Sequence, residues 1–324
     1  MKTDICFGLI LLLGLATILP AIEVATSATQ PYPTIRVTGF GRVRYTYDFA
    51  DGKISGFSIA QARFGVTGAI SEFFNYTFSV ETTNTATENR KMVCDVYIDT
   101  TIIPGFRIRA GQFKYPFGLE QSTPDADLEF VNKADVVTGL VNPTRDIGLQ
   151  VARDFSLGPV ATTLSVALLN GSGSNLEDEN NRKTLLGRFL VTPLTGLTLG
   201  GSYYSGTTGV ANDVKDRWGI ELKYEYWRLF VKSEYMFGKD KTIGKDGYYV
   251  MAGYSIIPSG LALIRFDRWN PDRDAAADKS TSRWTFGFNY FFGRNIIWRT
   301  NYELRRETPA VQNDLFMTQF QVKF

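Results

Sequence analysis

The chain has 324 residues, with 35 Lys and Arg against 33 Asp and Glu and a formal net charge of +2. That balance is too close to neutral to imply a nucleic-acid partner. There is no histidine and there are only two cysteines, which removes most zinc sites and every nucleophile activated by a histidine base, so the composition argues against an enzyme and implies no metal or cofactor.

The first residues read as an export signal. Lys2 precedes an apolar run from Ile5 to Leu19, and the small residues Ala25-Thr26-Ser27-Ala28 follow it. The run is short of the roughly 20 residues that a spanning helix needs. Cleavage near Ala28 is expected, which divides the chain into a signal peptide over 1–28 and one domain over 29–324. Losing Lys2, Asp4 and Glu23 leaves 34 basic and 31 acidic residues, a net charge of +3. Cys6 leaves with the signal, so Cys94 stands alone and is expected to be a small buried filler. No later apolar run is long enough to cross a bilayer as a helix, so a membrane form has to be a closed barrel.

From Thr34 onward the chain alternates with period two. Ile35, Val37, Val43, Tyr45 and Tyr47 oppose Arg36, Thr38, Arg42, Arg44 and Thr46. After Asp51-Gly52, Ala60, Ala62, Phe64 and Val66 oppose Gln61, Arg63 and Thr67. Phe74 to Val80 and Val96 to Ile102 follow in the same manner, separated by a polar loop from Thr82 to Lys91. Pro104-Gly105 turns the chain into Phe106, Ile108 and Ala110, which oppose Arg107, Arg109 and Gly111. The alternation resumes at Ile147, Leu149 and Val151. The stretch between, Tyr115 to Thr144, is polar and contains Pro and Gly. A loop of that length inside one domain usually carries a function, and it is expected to fold into the lumen and narrow it.

The same pattern continues to the C-terminus. Outward Trp218, Ile220, Leu222 and Tyr224 oppose Arg217, Glu221, Lys223 and Glu225; a charged loop is expected over Lys239 to Gly247. Ile264 and Phe266 oppose Arg265 and Asp267; Trp284, Phe286, Phe288 and Tyr290 oppose Arg283 and Asn289; Trp298 and Tyr302 oppose Arg299, Glu303 and Arg305. The final strand sets Phe316, Phe320, Val322 and Phe324 against Gln319, Gln321 and Lys323. The total is about 16 strands of about 9–13 residues, near the length that crosses a bilayer at a tilt. Short Pro/Gly turns alternate with longer polar loops, as in barrels with turns on the periplasmic side. The fold expected is all-β, a transmembrane antiparallel β-barrel with a long inward-folded third loop. Outward Trp and Tyr residues are expected to anchor at the lipid interfaces.

Several stretches resemble the phosphate-selective porin O and P family. They are Arg107-Ile-Arg-Ala-Gly-Gln-Phe-Lys-Tyr-Pro-Phe-Gly118 followed by Glu120, Arg145-Asp-Ile-Gly-Leu-Gln150, Asn170-Gly-Ser-Gly173, Tyr248-Tyr-Val-Met-Ala-Gly-Tyr254, and Arg265-Phe-Asp267 followed by Trp269-Asn-Pro271. The terminal Phe324 resembles the C-terminal signal of outer-membrane barrels. The resemblance spans essentially the whole mature chain. It implies a trimeric porin of the Gram-negative outer membrane, anion-preferring, with Arg and Lys lining the channel and with lipid, lipopolysaccharide and small solutes as its contacts.

The residues expected to line the pore and attract anions are Arg42, Arg44, Arg63, Arg107, Arg109, Arg265, Arg283 and Arg299. A basic surplus on a curved low-dielectric wall concentrates anions, and the arginine fork suits phosphate oxygens. The constriction loop carries Glu120, Asp125, Asp127, Glu129 and Asp135 against Lys133. If Arg42, Arg44, Arg63, Arg107 and Arg109 meet the loop, they form a basic ladder facing its carboxylates and set up a transverse field. The same charges can instead pair across strands and merely keep the wall wet. The reading is a channel for passive diffusion of small hydrophilic solutes with an anion preference. The alternative is a barrel that acts as a scaffold or sheath for a partner protein.

Overall fold

A computed structural model of the chain describes residues 32–83 and 93–324. The expected signal peptide, and most of the polar connection expected to end at Lys91, lie outside the described residues. The strands are β1 (Arg36–Asp48), β2 (Gly56–Ala69), β3 (Phe74–Glu81), β4 (Val93–Thr100), β5 (Arg107–Lys114), β6 (Arg145–Leu157), β7 (Val160–Leu169), β8 (Thr184–Leu194), β9 (Leu197–Thr208), β10 (Asp213–Tyr226), β11 (Leu229–Asp240), β12 (Ile243–Ile257), β13 (Gly260–Asn270), β14 (Thr281–Phe291), β15 (Ile296–Arg306) and β16 (Leu315–Lys323). Each pairs antiparallel with its neighbours in sequence, and β1 pairs with β16 to close a barrel of 16 strands. The closure extends to the last residue, where Gly39 and Phe324 exchange backbone hydrogen bonds of 3.0 Å.

The alternation explains why the barrel closes with this face outward. Ile220 is 65% exposed, whereas Arg265 is 0% exposed. Val43, Phe64, Ile98, Leu149, Val166 and Phe286 share the outward face with Ile220. Such an inversion suits lipid outside and polar contacts inside, and closure leaves no strand edge with unpaired backbone in the bilayer. One local slip alters the expected pattern. Arg42 pairs with Gln61 but Val43 pairs with Ile59, so Ile59 and Phe57, rather than Ala60, carry the exposed apolar side chains of that segment.

Strand length differs around the barrel. β3 and β5 have 8 residues each, whereas β10 has 14 and β12 has 15. The expected charged loop over Lys239 to Gly247 is instead mostly strand. β11 and β12 pair to Asp240↔Ile243, leaving Lys241 at a φ of 57° in the reversal. Polarity there marks where the hairpin leaves the apolar band, not where the ladder ends, because both faces of a paired hairpin can be wet above the membrane.

The segment between β5 and β6 is not structureless. It contains α1 (Leu119–Ser122), a 3-10 turn over Asp125–Asp127, and α2 (Asp135–Leu140). It packs on the inner wall through a core that the alternation did not predict. Phe113, Tyr115, Phe117, Phe130, Val136, Val137 and Leu140 meet inward Ala167, Leu169, Leu186, Tyr204, Met236, Tyr249, Met251 and Leu263. Full burial of each large apolar side chain is worth about 2 kcal/mol, so the loop is seated as firmly as a small domain core.

The seat depends on Gly118 and Glu234. Gly118 has a φ of 70°, and a Cβ there would lie 2.3 Å from Glu234 Oε1 and 2.8 Å from Met236 Cε. The Glu234 carboxylate accepts from Leu119 N–H at 2.6 Å, Glu120 N–H at 2.9 Å and the Tyr249 hydroxyl at 2.6 Å. It thereby satisfies donors at the start of α1 that no helical carbonyl reaches. Gly118→Val adds strain of about 1–3 kcal/mol at that φ on top of the clash. The expected outcome is a barrel that still resists protease but whose segment Tyr115–Thr144 becomes cleavable, read by limited proteolysis and mass spectrometry; a loop as resistant as wild type would contradict this account of its seating.

Candidate functional site

The loop is latched to the wall nearly residue by residue. On the backbone, Arg42 donates to the Asp125 carbonyl, Arg299 and Gln321 to that of Ala126 (3.1 and 2.8 Å), and Asn289 to that of Glu129 (2.8 Å). Arg265 and Arg283 donate to the carbonyls of Asn132 (3.0 Å) and Lys133 (2.9 Å), while Asn301 Oδ1 accepts from Val131 N–H at 2.7 Å. At the far end, Arg217 donates to the Leu140 carbonyl at 2.8 Å and Lys215 to that of Asn142 at 2.9 Å. These side chains replace a ladder that irregular backbone cannot supply.

Each loop carboxylate also meets a cation. Glu120 faces Arg265 at 3.3 Å, Asp127 faces Lys323 at 2.7 Å, Asp135 faces Arg283 at 3.0 Å, and Glu129 pairs with Lys232. Asp125 is the centre of a cluster, with Lys114 at 2.8 Å, Arg63 at 2.9 Å and Lys133 at 3.7 Å. Burial alone would raise the Asp125 carboxyl, but Lys114, Lys133 and Arg63 outweigh it and hold the group well below the usual carboxylate range. Asp135 behaves oppositely. Burial, reinforced by Asp267 and Glu303, pushes it up to about 6 against the pull of Arg283. Burial likewise raises Glu120.

On the loop side of this barrier is a chamber of about 590 Å³. Its cationic lining is Arg42, Arg63, Lys133, Arg145, Arg283 and Arg305, and its anionic lining is Glu81, Asp125 and Asp135. Arg63 stands between Asp125 and Glu81, the latter at 3.4 Å. Planar guanidinium groups around a water-accessible space provide paired donors for tetrahedral or planar oxyanions.

The eight arginines predicted from the alternation fall into four groups. Arg42, Arg63 and Arg283 border the loop-side chamber while also holding the loop. Arg265 and Arg299 are 0% and 2% exposed; they lie beneath the loop, because the loop covers the wall where they emerge. Arg44, nearer the mouth, donates to Gln319 at 3.2 and 3.1 Å. Arg107 and Arg109 do not join the ladder. They sit toward the turn end of β5, where Asp154 lies 3.6 Å from Arg107 and Asp99 takes both donors of Arg109 at 2.7 and 2.8 Å. The basic ladder facing the loop therefore reduces to Arg42 and Arg63.

Two other cations take the vacated role. Lys114 and Arg145 are register partners at the points where β5 and β6 give way to the loop. Lys114 holds Asp125 and the Thr123 carbonyl, each at 2.8 Å, and Arg145 grips Asp95 at 2.9 and 3.1 Å. Alternation overlooks them because Gly111, at a φ of 130°, breaks the parity of β5, and both Gln112 and Phe113 turn inward after it. The Asn170–Gly173 segment closes over the same corner. Gly171 N–H donates to Asp146 Oδ2 at 2.9 Å, and a Cβ on Gly173 would lie 2.6 Å from Pro143.

Comparison with solved structures returns barrels of the same architecture at low identity. OmpF of Salmonella typhi superposes with a TM-score of 0.68 at 13% identity, covering 94% of this chain and 100% of that one. The anion-selective porin of Comamonas acidovorans gives 0.66 at 12%, covering 90% and 100%. OmpT of Vibrio cholerae in its trimer form gives 0.64 at 12%, covering 90% and 99%. No curated protein sequence gives a significant match. A family model described as phosphate-selective porin O and P matches residues 37–207, and with the closed barrel and latched loop this establishes that the chain belongs to the phosphate-selective porin O and P family of outer-membrane barrels.

Proposed function

We propose that this outer-membrane porin is a passive channel for small hydrophilic solutes with a preference for anions of the phosphate type, and that it works without catalysis. The observation that carries the reading is the charge balance of the loop-side chamber. Six cationic side chains line it against three anionic ones, and the loop's acidic residues are engaged with wall or loop cations. The loop's formal acidity is thereby neutralised locally; Arg145 and Arg305 are held by Asp95 and Glu303 on the wall, and Arg42, whose hydrogen-bond acceptors are the neutral Gln321, Gln61 and Asp125 carbonyl, is left to tip the field toward anions. The anion selectivity of the Comamonas acidovorans barrel, which shares the fold, agrees with this reading.

The working unit we propose is a homotrimer, reached through export under the signal at residues 1–28 and set among lipid and lipopolysaccharide. Its support is the length of β3 and β5. Eight residues at a tilt of about 40° rise about 20 Å, short of the apolar band of about 25 Å. A neighbouring copy would cover that low side. The Vibrio cholerae barrel of the same fold occurs as a trimer.

In planar bilayers under a salt gradient the purified protein is expected to give an anion-sided reversal potential. A cation-sided potential would refute the preference, and no conductance would remove the channel reading and leave a scaffold. Two substitutions across one ion pair sharpen the test. A unit charge about 6 Å from a permeating ion is worth about 0.5 kcal/mol after screening. Because the charge acts with opposite sign on anion and cation, Arg63→Gln should lower the anion-to-cation permeability ratio about fivefold and Asp125→Asn raise it about fivefold. Movement in the same direction would show that both act only on loop structure.

Asp135 supplies a pH signature. It is ionised above about 6 and neutral below, so falling pH removes a negative charge from the chamber. Anion preference is expected to rise as pH drops from about 7.5 to about 5.5, and Asp135→Asn should flatten that rise. A profile in the variant as steep as wild type would assign the titration elsewhere.

A further inference from the structure

On the turn side of the loop lies a second chamber, of about 760 Å³, whose lining a wet lumen does not explain. Phe230, Leu261, Phe291 and Ile297 point inward there, from β11, β13, β14 and β15. Each shares the inward parity of a polar residue two positions along its strand or the next: Lys232, Asn289 and Arg299 among them. The inner face of a porin is expected to be polar at such positions. Phe230 and Leu261 border the buried core beneath the loop, so the core continues into open space at this end. Loop residue Leu128 borders both chambers.

The charges around this apolar belt are not evenly balanced once pairing is considered. Asp127 is paired with Lys323 at 2.7 Å, Glu225 with Lys223 at 2.8 Å, and Glu129 with Lys232. Arg294 and Arg299 also line the chamber, and neither has a carboxylate partner among the described residues. Arg299 gives its terminal nitrogens to Gln321 and the Ala126 carbonyl, and its Nε has no partner among the described residues. Asn289, its register partner across β14 and β15, donates to the Glu129 carbonyl and leaves Oδ1 unpartnered among the described residues. Apolar surface therefore adjoins the exposed guanidinium of Arg294, which forms no ion pair among the described residues, and the covered one of Arg299, which feels Glu129 and Asp127 without pairing with either.

We propose that this chamber is a binding subsite for organic anions with an apolar body, a carboxylate or sulfonate carried on one aromatic ring or a branched alkyl group. The proposal rests on the channel reading above and adds a solute class to it. The head group meets the exposed Arg294 by charge, with Arg299 adding its field from beneath the loop, and the body covers Leu261, Phe291 and Ile297, removing apolar surface from water. Inorganic phosphate has no use for the belt and is served by the loop-side chamber instead. The two chambers thus sort anions by polarity in sequence along one path.

The test compares benzoate with acetate as blockers of chloride current in planar bilayers. Benzoate is expected to act at a concentration about tenfold below that of acetate, because its ring buries area that a methyl group lacks. Leu261→Thr with Ile297→Thr should erase that difference. Arg294→Gln, at an exposed turn where folding is not at stake, should weaken block by both anions about threefold. Equal potency of benzoate and acetate in the wild type, or a benzoate preference unchanged in the threonine pair, would overturn the proposal. Calorimetric titration of benzoate and acetate into the detergent-solubilised barrel reads the same preference when no current flows. Failure of conduction is thereby separated from failure of the subsite, and absence of benzoate preference in that titration also overturns it.

Discussion

Backbone that enters a barrel must find hydrogen-bond partners there, and this constraint orders most of the interior. The wall meets it by closing on itself from β1 to β16. The inserted segment cannot, because its short helices leave most of its N–H and C=O groups outside any ladder. Side chains of the wall take over the task. Arginine and asparagine reach the carbonyls from Asp125 to Lys133, and Glu234 receives the N–H groups at the start of α1. The apolar core beneath the loop then adds depth to a seat whose register these polar contacts define.

That arrangement places structure and electrostatics on the same residues. Arg42 and Arg283 hold loop carbonyls and also face the loop-side chamber. Arg265 has given up the chamber entirely and sits between Glu120, Asp267 and the ring of Phe130. A buried cation with two acid partners serves specificity of position more than net stability. The cations left to influence solutes are those at the margin of the loop, where a guanidinium can satisfy a partner and still meet water.

How far the chain could be read without its structure follows from which forces act locally. Lipid requires apolar residues outward at every second position, so Val43, Phe64, Leu149, Ile220 and Phe286 announce the strands, and Tyr115 and Thr144 bound the inserted loop where β5 ends and β6 begins. The inward face obeys no such rule. Leu169, Leu186, Met236 and Met251 look like noise in a polar series until the loop lies on them. The same distance in sequence hides Lys114 and Arg145, whose importance comes from Asp125 and Asp95 arriving beside them. It misplaces Arg107 and Arg109, which share a strand with the loop's approach but pair with acids at the other end. The hairpin between β11 and β12 fails for a different reason: charge signals exposure, and exposure is compatible with a continuing ladder.

The low side of the barrel acts on the bilayer as well as on the protein. Lipid facing β3 and β5 must compress to match strands of 8 residues, while lipid facing β12 meets a strand of 15. Mismatch costs fractions of a kcal/mol per ångström, so a deficit of about 5 Å along that side amounts to about 1–2 kcal/mol of membrane deformation for each isolated barrel. Hiding that side against another copy releases the deformation. The membrane itself then contributes a force toward assembly, one that grows with bilayer thickness and does not depend on any particular side-chain contact across the interface.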